Sequence, residues 1–317
     1  MSIFWTSLLY LKNQVATFDA PIRCFSLQVA PEPSLSFNRF LSPTTMDSKQ
    51  SVLLHFEIDW QKGFLKGIQL TKTSKKAKIH LQEIFPEYQQ FFQLYLPYCL
   101  ISNLAQQQQR TISISHFAQS LDGKIATHTG DSQWIGNPEN LLHAHRMRAL
   151  CDGILIGKNT LQNDAPSLTV RHVEGKNPKR IVISSSACDY SSLLKNETER
   201  ILVLGKNAIS PSHQHPSMDY IQLPCTDGRI DTKLILEELF RQGIYSVYIE
   251  GGAQTTSTFL KEGNIDVLQL HLSPQVFGSG ISGISLPTID RVQDSIAFKH
   301  THFYRIGNAV MFVGEMD

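Results

Sequence analysis

A tight turn followed by a lysine is the first segment of this chain whose residue types could bind a small molecule. The segment Ser120–Lys124 (S-L-D-G-K) directly follows a β-type run, and Ser132 lies a few residues further on. Asp-Gly is typical of a tight turn, so Lys124 places one cation near the end of a strand. Taken alone, this is a surface turn with a solvated lysine. The ends of strands are nevertheless where α/β proteins bind ligands, which makes Lys124 a candidate binding residue.

Two arginines and an aspartate form a second group of candidates. Arg148 lies near the end of a predicted helix, and Asp164 and Arg171 follow it in the chain. Forked guanidinium donors would suit a substrate that carries a phosphate. The alternatives are that Arg148 only interacts with the dipole of its helix and that Arg171 is a solvated residue at a strand end.

A pair of glycines stands where a predicted strand gives way to a predicted helix. In Glu250-Gly251-Gly252 the missing side chains would let the backbone approach a bound pyrophosphate, and the helix N-terminus would supply amide donors. Two glycines before a helix are more often a tightly packed loop. The complete G-x-G-x-x-G motif and the P-loop are absent from the sequence.

One motif suggests zinc chemistry but lacks its ligands. His55-Phe56-Glu57 matches the H-x-E of zinc deaminases, yet no P-C-x-x-C follows it. Neither Cys99 nor Cys225 has a cysteine partner three residues away. Because three protein ligands are needed to hold the metal, we expect no metal site and no deaminase activity in this chain.

Composition excludes several classes of protein. The 317 residues carry 29 basic and 28 acidic side chains, so charge gives no reason to expect nucleic acid or an anionic membrane as a partner. The five cysteines are far apart, which favours a reducing compartment and a cytoplasmic protein. The apolar start, Met1–Leu11, has no preceding Lys or Arg and is too short to span a bilayer.

The chain changes character near residue 110. Residues 1–110 contain two of the 19 glycines and end in a glutamine run. They predict a strand at Ser51–Ile58, partner strands within 63–70 and 77–81, and a helix at Pro86–Leu104. We therefore expect an N-terminal α+β extension, whose function the sequence leaves open.

Residues 111–317 alternate short β-branched runs with capped helices, the pattern of an α/β sheet with strands buried on both faces. Asn137 and Asp231 are predicted N-caps, and Gly307-Asn308 is predicted to turn a terminal hairpin. The predicted strands are 111–117, 153–157, 180–185, 201–205, 246–250 and 267–272, the helices are 138–150, 231–242 and 254–262, and the hairpin spans 298–313.

The order and spacing of five motifs carry a resemblance to a known family. They are S-L-D-G-K-I-A, G-D-S-x-W-I, R-A-x-x-D, I-L-I-G-x-x-T-L-x-x-D-x-P-x-L-T-V-R and V-Y-I-E-G-G. Together they resemble the reductase domain of the bifunctional riboflavin-biosynthesis deaminase–reductase, over residues 111–317. The resemblance implies a dihydrofolate-reductase-like α/β fold, a mostly parallel twisted sheet flanked by helices with an antiparallel end hairpin. It also implies a homodimer and an NADPH-dependent reduction of the ribose of 5-amino-6-(5-phosphoribosylamino)uracil to a ribityl chain.

The resemblance also assigns residues to roles. Asp164 and Glu250 line the sugar end of the substrate and are the available proton donors or relays. The cofactor's adenosine-phosphate end is expected near Ser184–Ser186. The other substrate-binding residues are Lys124, Ser132, Arg148, Leu168 and Arg171, and the cofactor-binding residues are Gly157, Thr160, Gly251 and Gly252.

Two departures from the family pattern leave alternatives open. Asn159 stands where the family often has a second glycine, and Ala165 stands where it usually has Asp or Asn. A reductase acting on another pyrimidine or a pterin, or a non-catalytic binding protein with an inherited fold, is therefore an alternative. Because residues 1–110 do not resemble a deaminase, that activity is expected on a separate chain.

Overall fold

The computed structural model divides the chain into two compact units, Met1–Gln109 and Arg110–Asp317. It describes residues 2–316 except for the single positions 19, 21, 23, 63, 134, 185 and 187 and the stretches 30–32, 38–51, 66–67, 74–85, 196–199, 206–214 and 227–228. Within the described residues, no helix combines the length and the apolar character needed to cross a membrane.

The first unit places a four-stranded antiparallel sheet beside helices rich in aromatic residues. The strand predicted at Ser51–Ile58 is confirmed as β3, whereas the partner predicted within 77–81 lies outside the described residues. The sheet order is β2-β1-β3-β4. Its elements are α1 (Ser2–Val15), β1 (Cys24–Val29), β2 (Ser34–Phe37), β3 (Val52–Ile58), β4 (Ile68–Thr73), α2 (Pro86–Cys99) and α3 (Ile101–Gln108).

The helix predicted at Pro86–Leu104 is in fact two helices. Pro97 lies inside α2, and the N–H of Leu100 donates to the Pro97 carbonyl at 3.0 Å. This contact spans three residues instead of four, so the chain tightens at Leu100 before α3 begins. The prediction missed the break because the apolar residues continue across it.

The second unit is built on a nine-stranded sheet of order β10-β9-β8-β7-β11-β5-β12-β15-β14. The strands from β10 to β12 are parallel, and β15 and β14 add an antiparallel hairpin. This is the mostly parallel sheet with an antiparallel end hairpin that was expected. The strands are β5 (Ile112–Gln119), β6 (Lys124–Thr127), β7 (Gly153–Gly157), β8 (Lys179–Ser184), β9 (Ile201–Gly205), β10 (Met218–Gln222), β11 (Ser246–Ile249), β12 (Val267–Leu272), β13 (Gly280–Ser282), β14 (Phe298–Ile306) and β15 (Ala309–Met316).

Helices cover both faces of this sheet. Leu155 packs in a core cluster with side chains of α7 and α8, while its neighbours Ile154 and Ile156 pack with side chains of α5 and α6. Successive residues of β7 therefore face opposite cores, which explains its continuous apolar sequence. The helices are α4 (Pro138–Leu150), α5 (Lys158–Asp164), α6 (Ser191–Leu194), α7 (Thr232–Arg241) and α8 (Ala253–Lys261).

Five helices and strands of this unit were not predicted: α5, α6, β10, and the two strands β6 and β13, which pair with each other outside the main sheet. Helix α5 (K-N-T-L-Q-N-D) buries one residue, Leu161, so its sequence has no apolar periodicity. It follows β7 without a loop, and it positions residues 158–164 at the carboxyl edge of the sheet, where the parallel strands end.

Candidate active site

A cavity of about 740 Å³ lies at the carboxyl edge of the parallel strands in the second unit. It is bounded by the segments that follow β5, β7 and β11, the positions at which open α/β sheets bind ligands. Seven of the residues assigned by resemblance line it: Ser132, Gly157, Thr160, Asp164, Glu250, Gly251 and Gly252.

The junction between β11 and α8 provides backbone donors to this cavity. Gly252 is the N-cap of α8 in an extended conformation, and no side chain caps the helix. The N–H of Gly252 itself donates to Thr160 Oγ1 at 2.9 Å. The next amides, of Ala253–Thr255, are the first N–H groups of the helix and have no partner within it. These three residues line the cavity, so the helix N-terminus can receive an anion.

Glycines at this junction are required by close packing. A Cβ on Gly157 would lie 2.5 Å from Thr255 Oγ1, and one on Gly251 would lie 2.6 Å from Thr255 Cβ. A Cβ on Gly252 would lie 3.1 Å from Thr160 Oγ1. Close packing against Thr255 therefore accounts for the glycines at 157 and 251, and both residues also line the cavity.

Glu250 is held by an arginine that the resemblance assigned to the substrate phosphate. Arg148 Nε and Nη2 donate to the two carboxylate oxygens of Glu250 at 2.7 and 2.6 Å, and its Nη1 donates to the Thr169 carbonyl at 3.1 Å. The Arg148 side chain is 11% exposed and does not line the cavity. Burial lowers the pKa of Arg148, but the charge and hydrogen bonds of Glu250 outweigh it and the pKa is raised. Arg148 therefore positions Glu250 in this structure.

Asp164 is the other carboxylate on the cavity wall. It is the last residue of α5, and its side chain has no hydrogen-bond or ion-pair partner among the described residues. Partial burial raises its pKa. A carboxyl group whose pKa is raised carries a proton more readily near neutral pH, which suits it to donate one.

The remaining assigned residues lie outside the cavity wall. Arg171 Nη1 donates to Thr169 Oγ1 at 2.7 Å, so Arg171 and Arg148 both contact Thr169. Lys124 Nζ donates to Ser282 Oγ at 3.0 Å, across the β6–β13 pair. Leu168 is 2% exposed, lies in a hydrophobic core cluster and has a positive φ of 54°. As the structure stands, Leu168 contacts the core and not the cavity.

The cavity residues that were not among the predicted site residues include Lys158, Asn159, Arg229 and Gln254. Asn159 Nδ2 donates to Gln254 Oε1 at 3.3 Å, which links the start of α5 to the first turn of α8. Lys158 Nζ donates to Ser186 Oγ at 2.6 Å. The position of Lys158 directly after a buried strand could have identified it as a site residue from the sequence. No local sequence feature identifies Arg229.

The described residues contain no group of three or more His, Cys, Asp or Glu side chains placed to hold a metal ion. The H-x-E motif lies in β3 of the first unit.

An open helix N-terminus and two carboxylates at the carboxyl edge of a mostly parallel sheet form a site suited to an anionic ligand such as a nucleotide. Residues 112–312 match the RibD C-terminal domain family. The chain belongs to this family.

Relatives of the chain include a protein named as a reductase and a protein named for riboflavin biosynthesis. It is 31% identical over 205 residues to 2,5-diamino-6-ribosylamino-4(3H)-pyrimidinone 5′-phosphate reductase of Methanothermobacter thermautotrophicus, with 62% of this chain and 94% of that protein covered. It is 33% identical over 177 residues to the riboflavin biosynthesis protein RibD of Aquifex aeolicus, covering 55% of this chain and 49% of that protein.

Among solved structures, the chain is similar to a diaminohydroxyphosphoribosylaminopyrimidine deaminase/5-amino-6-(5-phosphoribosylamino)uracil reductase of Thermotoga maritima. The TM-score is 0.59 at 25% identity, and the match covers 71% of this chain and 62% of the other. The chain thus spans about half to two thirds of the bifunctional proteins that it matches.

Proposed function

We propose that the second unit reduces the ribose of 5-amino-6-(5-phosphoribosylamino)uracil to the ribityl chain, with NADPH as the hydride donor. The observation that carries the proposal is the cavity at the carboxyl edge, which combines the open N-terminus of α8 with two carboxylates, Asp164 and Glu250. Membership of a reductase family supports the same chemistry.

The name of one relative supports an alternative substrate for this chain. The Methanothermobacter reductase is named for the 2,5-diamino-pyrimidinone phosphate, and this chain covers 94% of it, which leaves little of that protein for a deaminase. This chain also lacks P-C-x-x-C. The diamino compound, which still carries the amino group that a deaminase would remove, is therefore the alternative substrate.

The residues of the cavity fit a dinucleotide. Gly251 and Gly252 leave no side chain between the backbone and the cavity, and the amides of Ala253–Thr255 would hold the pyrophosphate. Thr160 fixes the Gly252 amide, so it would position the loop. When bound, NADPH supplies the hydride that reduces C1 of the ring-opened ribosylamine, while the protein supplies orientation and excludes water.

The chain's own carboxylates have different tasks in this proposal. Asp164 is the proposed proton donor to the reduced substrate, since it lines the cavity and its side chain has no partner among the described residues. Partial burial also raises its pKa. Glu250 accepts two hydrogen bonds from Arg148 and presents a fixed charge to the sugar hydroxyls. Arg171, held at Thr169, is the proposed phosphate ligand.

We also propose a homodimer in the cytoplasm, with deamination on a separate chain. Apolar side chains of the second unit support the dimer, because Phe303 is 69% and Val292 89% exposed. Cys99, Cys151, Cys188 and Cys225 are free thiols, as a reducing compartment favours.

The test is the loss of NADPH absorbance with each of the two pyrimidine phosphates in turn. The proposal expects turnover of the uracil and at most slow turnover of the diamino compound, and the reverse preference would establish the alternative. The dephosphorylated nucleosides are the matched control for the phosphate. NADPH binding without turnover of either compound would contradict both and favour a non-catalytic binding protein.

A further inference from the structure

Two cations line the cavity in addition to its carboxylates. Among the described lining residues, Lys158 and Arg229 are the basic ones. Neither has a carboxylate partner in the described part of the chain, in contrast to Arg148, whose charge is matched by Glu250. The only side-chain contact of Lys158 there is a neutral one, to Ser186 Oγ at 2.6 Å. Two uncompensated positive charges on one wall favour an anionic ligand group.

The topology places these cations away from the helix N-terminus. Gly252 follows β11, Lys158 follows β7 and Ser186 follows β8, and the sheet order is β11-β7-β8. The Lys158–Ser186 pair thus lies up to two strand spacings, roughly 10 Å, from the α8 amides. Arg229 lies in the segment that follows β10, the edge strand beyond β8 and β9, and it lines the same cavity as Lys158.

We propose that Lys158 and Arg229 bind the monoester phosphate on the adenosine ribose of the dinucleotide, and so make this protein select NADPH over NADH. The inference rests on the proposed function, since it takes α8 to hold the pyrophosphate of the same molecule. A phosphate monoester carries a charge of about −1.5 to −2 at neutral pH. A lysine point charge and a forked arginine are suited to it, and the hydroxyl of NADH gives them no anion to bind.

The experiment measures the dissociation constants of NADPH and NADH for the full chain and for Lys158→Ala, Arg229→Gln and the double variant. Each single change should weaken NADPH binding about 10- to 100-fold, the loss of one charge-assisted contact, and leave NADH within about twofold. The matched control is Lys233→Ala, an exposed cation on α7 that does not line the cavity. It should change neither constant.

Two adenosine nucleotides that differ only in the 2′-phosphate test the contribution of that phosphate by itself. Adenosine 2′,5′-bisphosphate should compete with NADPH on the unmodified chain far better than adenosine 5′-phosphate, and the double variant should abolish the difference. If NADPH binds but its preference over NADH survives in the double variant, the inference is overturned and the proposed function stands. If the unmodified chain binds neither dinucleotide, the proposed function fails first and the inference falls with it.

Discussion

Arg148 and Glu250 are 102 residues apart in the sequence, and the fold joins them through two hydrogen bonds of 2.7 and 2.6 Å. Both side chains are largely buried, at 11% and 16% exposure. The pair ties the C-terminal turn of α4 to the residue that follows β11. It therefore fixes a carboxylate at the cavity wall. It also gives Arg148 a different role from Arg171, although the resemblance assigned both arginines to substrate binding.

Substitutions of the two arginines should distinguish a residue that positions Glu250, Arg148, from one that binds the phosphate, Arg171. Arg148→Met leaves Glu250 buried without a partner and should lower the free energy of unfolding by about 3 kcal/mol in urea denaturation. The double variant Arg148→Met/Glu250→Gln should be less destabilised than the sum of the single changes, since no unpaired charge remains. Additive losses would show that the pair is not coupled.

Arg171→Ala should instead affect binding. The side chain is exposed, so stability should stay within about 0.5 kcal/mol. The Michaelis constant for the phosphorylated substrate should rise about 10- to 150-fold, and that for the dephosphorylated nucleoside should change little. An equal rise for both compounds would remove Arg171 from the phosphate site.

Gly157 and Gly251 both lie against Thr255, but a substitution of that threonine should rescue the stability of an alanine variant at only one of them. Gly157→Ala and Gly251→Ala should each cost about 1–3 kcal/mol, because the added Cβ overlaps Thr255. Thr255→Ala removes the Oγ1 that opposes position 157, and the next Thr255 atom is 3.9 Å away. It leaves the Cβ that lies 2.6 Å from the position of a Gly251 Cβ. Thermal unfolding of the double variants should therefore show rescue of Gly157→Ala only.

Ala165 should be a site of strain that can be relieved. It ends α5 with φ +42°, a left-handed conformation that costs an L-residue about 1–2 kcal/mol. Ala165→Gly should therefore raise the free energy of unfolding by about 1 kcal/mol. Ala149→Gly, inside α4, is the control and should lower it by a similar amount. A destabilised Ala165→Gly variant would show that the backbone there is not strained.

A buried group of histidines should make the protein sensitive to acid. Burial, with the neighbouring His271, lowers the pKa of His116 to about 3, and burial lowers that of His271 to about 4. Burial also lowers the pKa of His143. An unfolded imidazole titrates near 6.5, so between pH 6.5 and about 4 the unfolded chain binds more protons than the native one. The free energy of unfolding should therefore fall as the pH is lowered, by up to about 1.4 kcal/mol per pH unit for each ring.

His271→Leu tests this directly. Among the described residues, neither buried ring nitrogen of His271 has a hydrogen-bond partner, so the substitution leaves no other polar group of that part unpaired. Urea denaturation at pH 7 and pH 5 should show a smaller loss of stability for the variant than for the unmodified chain. The same slope in both proteins would contradict the prediction.

Local signals were enough to predict eight of the nine strands of the main sheet and the helix caps at Asn137 and Asp231. The runs at Gly153–Gly157 and Ile201–Gly205 have the predicted bounds, and Asn137 caps α4 through a bond from the Asn140 amide. The hairpin turns at Gly307, whose φ is +61°. These features depend on residues close together in the chain, so periodicity and turn chemistry specify them.

Short or irregular elements were not predictable in this way. Helix α5 has one buried residue, and strand β10 pairs on one side only, at the edge of the sheet. Each exists because its neighbours supply the packing that its own sequence lacks. Arg229 reaches the cavity for the same reason, since the sheet order determines which segment meets the carboxyl edge of β8.

The sequence by itself determined the family, the glycines at the carboxyl edge and the carboxylates that face the cavity. Only the tertiary structure decided which cations are neutralised and which are free. Arg148 is paired because β11 lies beside β7, which directs Glu250 toward α4. The side chain of Lys158, directly after β7, contacts only a serine hydroxyl among the described residues. A side chain's partner depends on the order of the strands, and residue types along the chain do not contain that order.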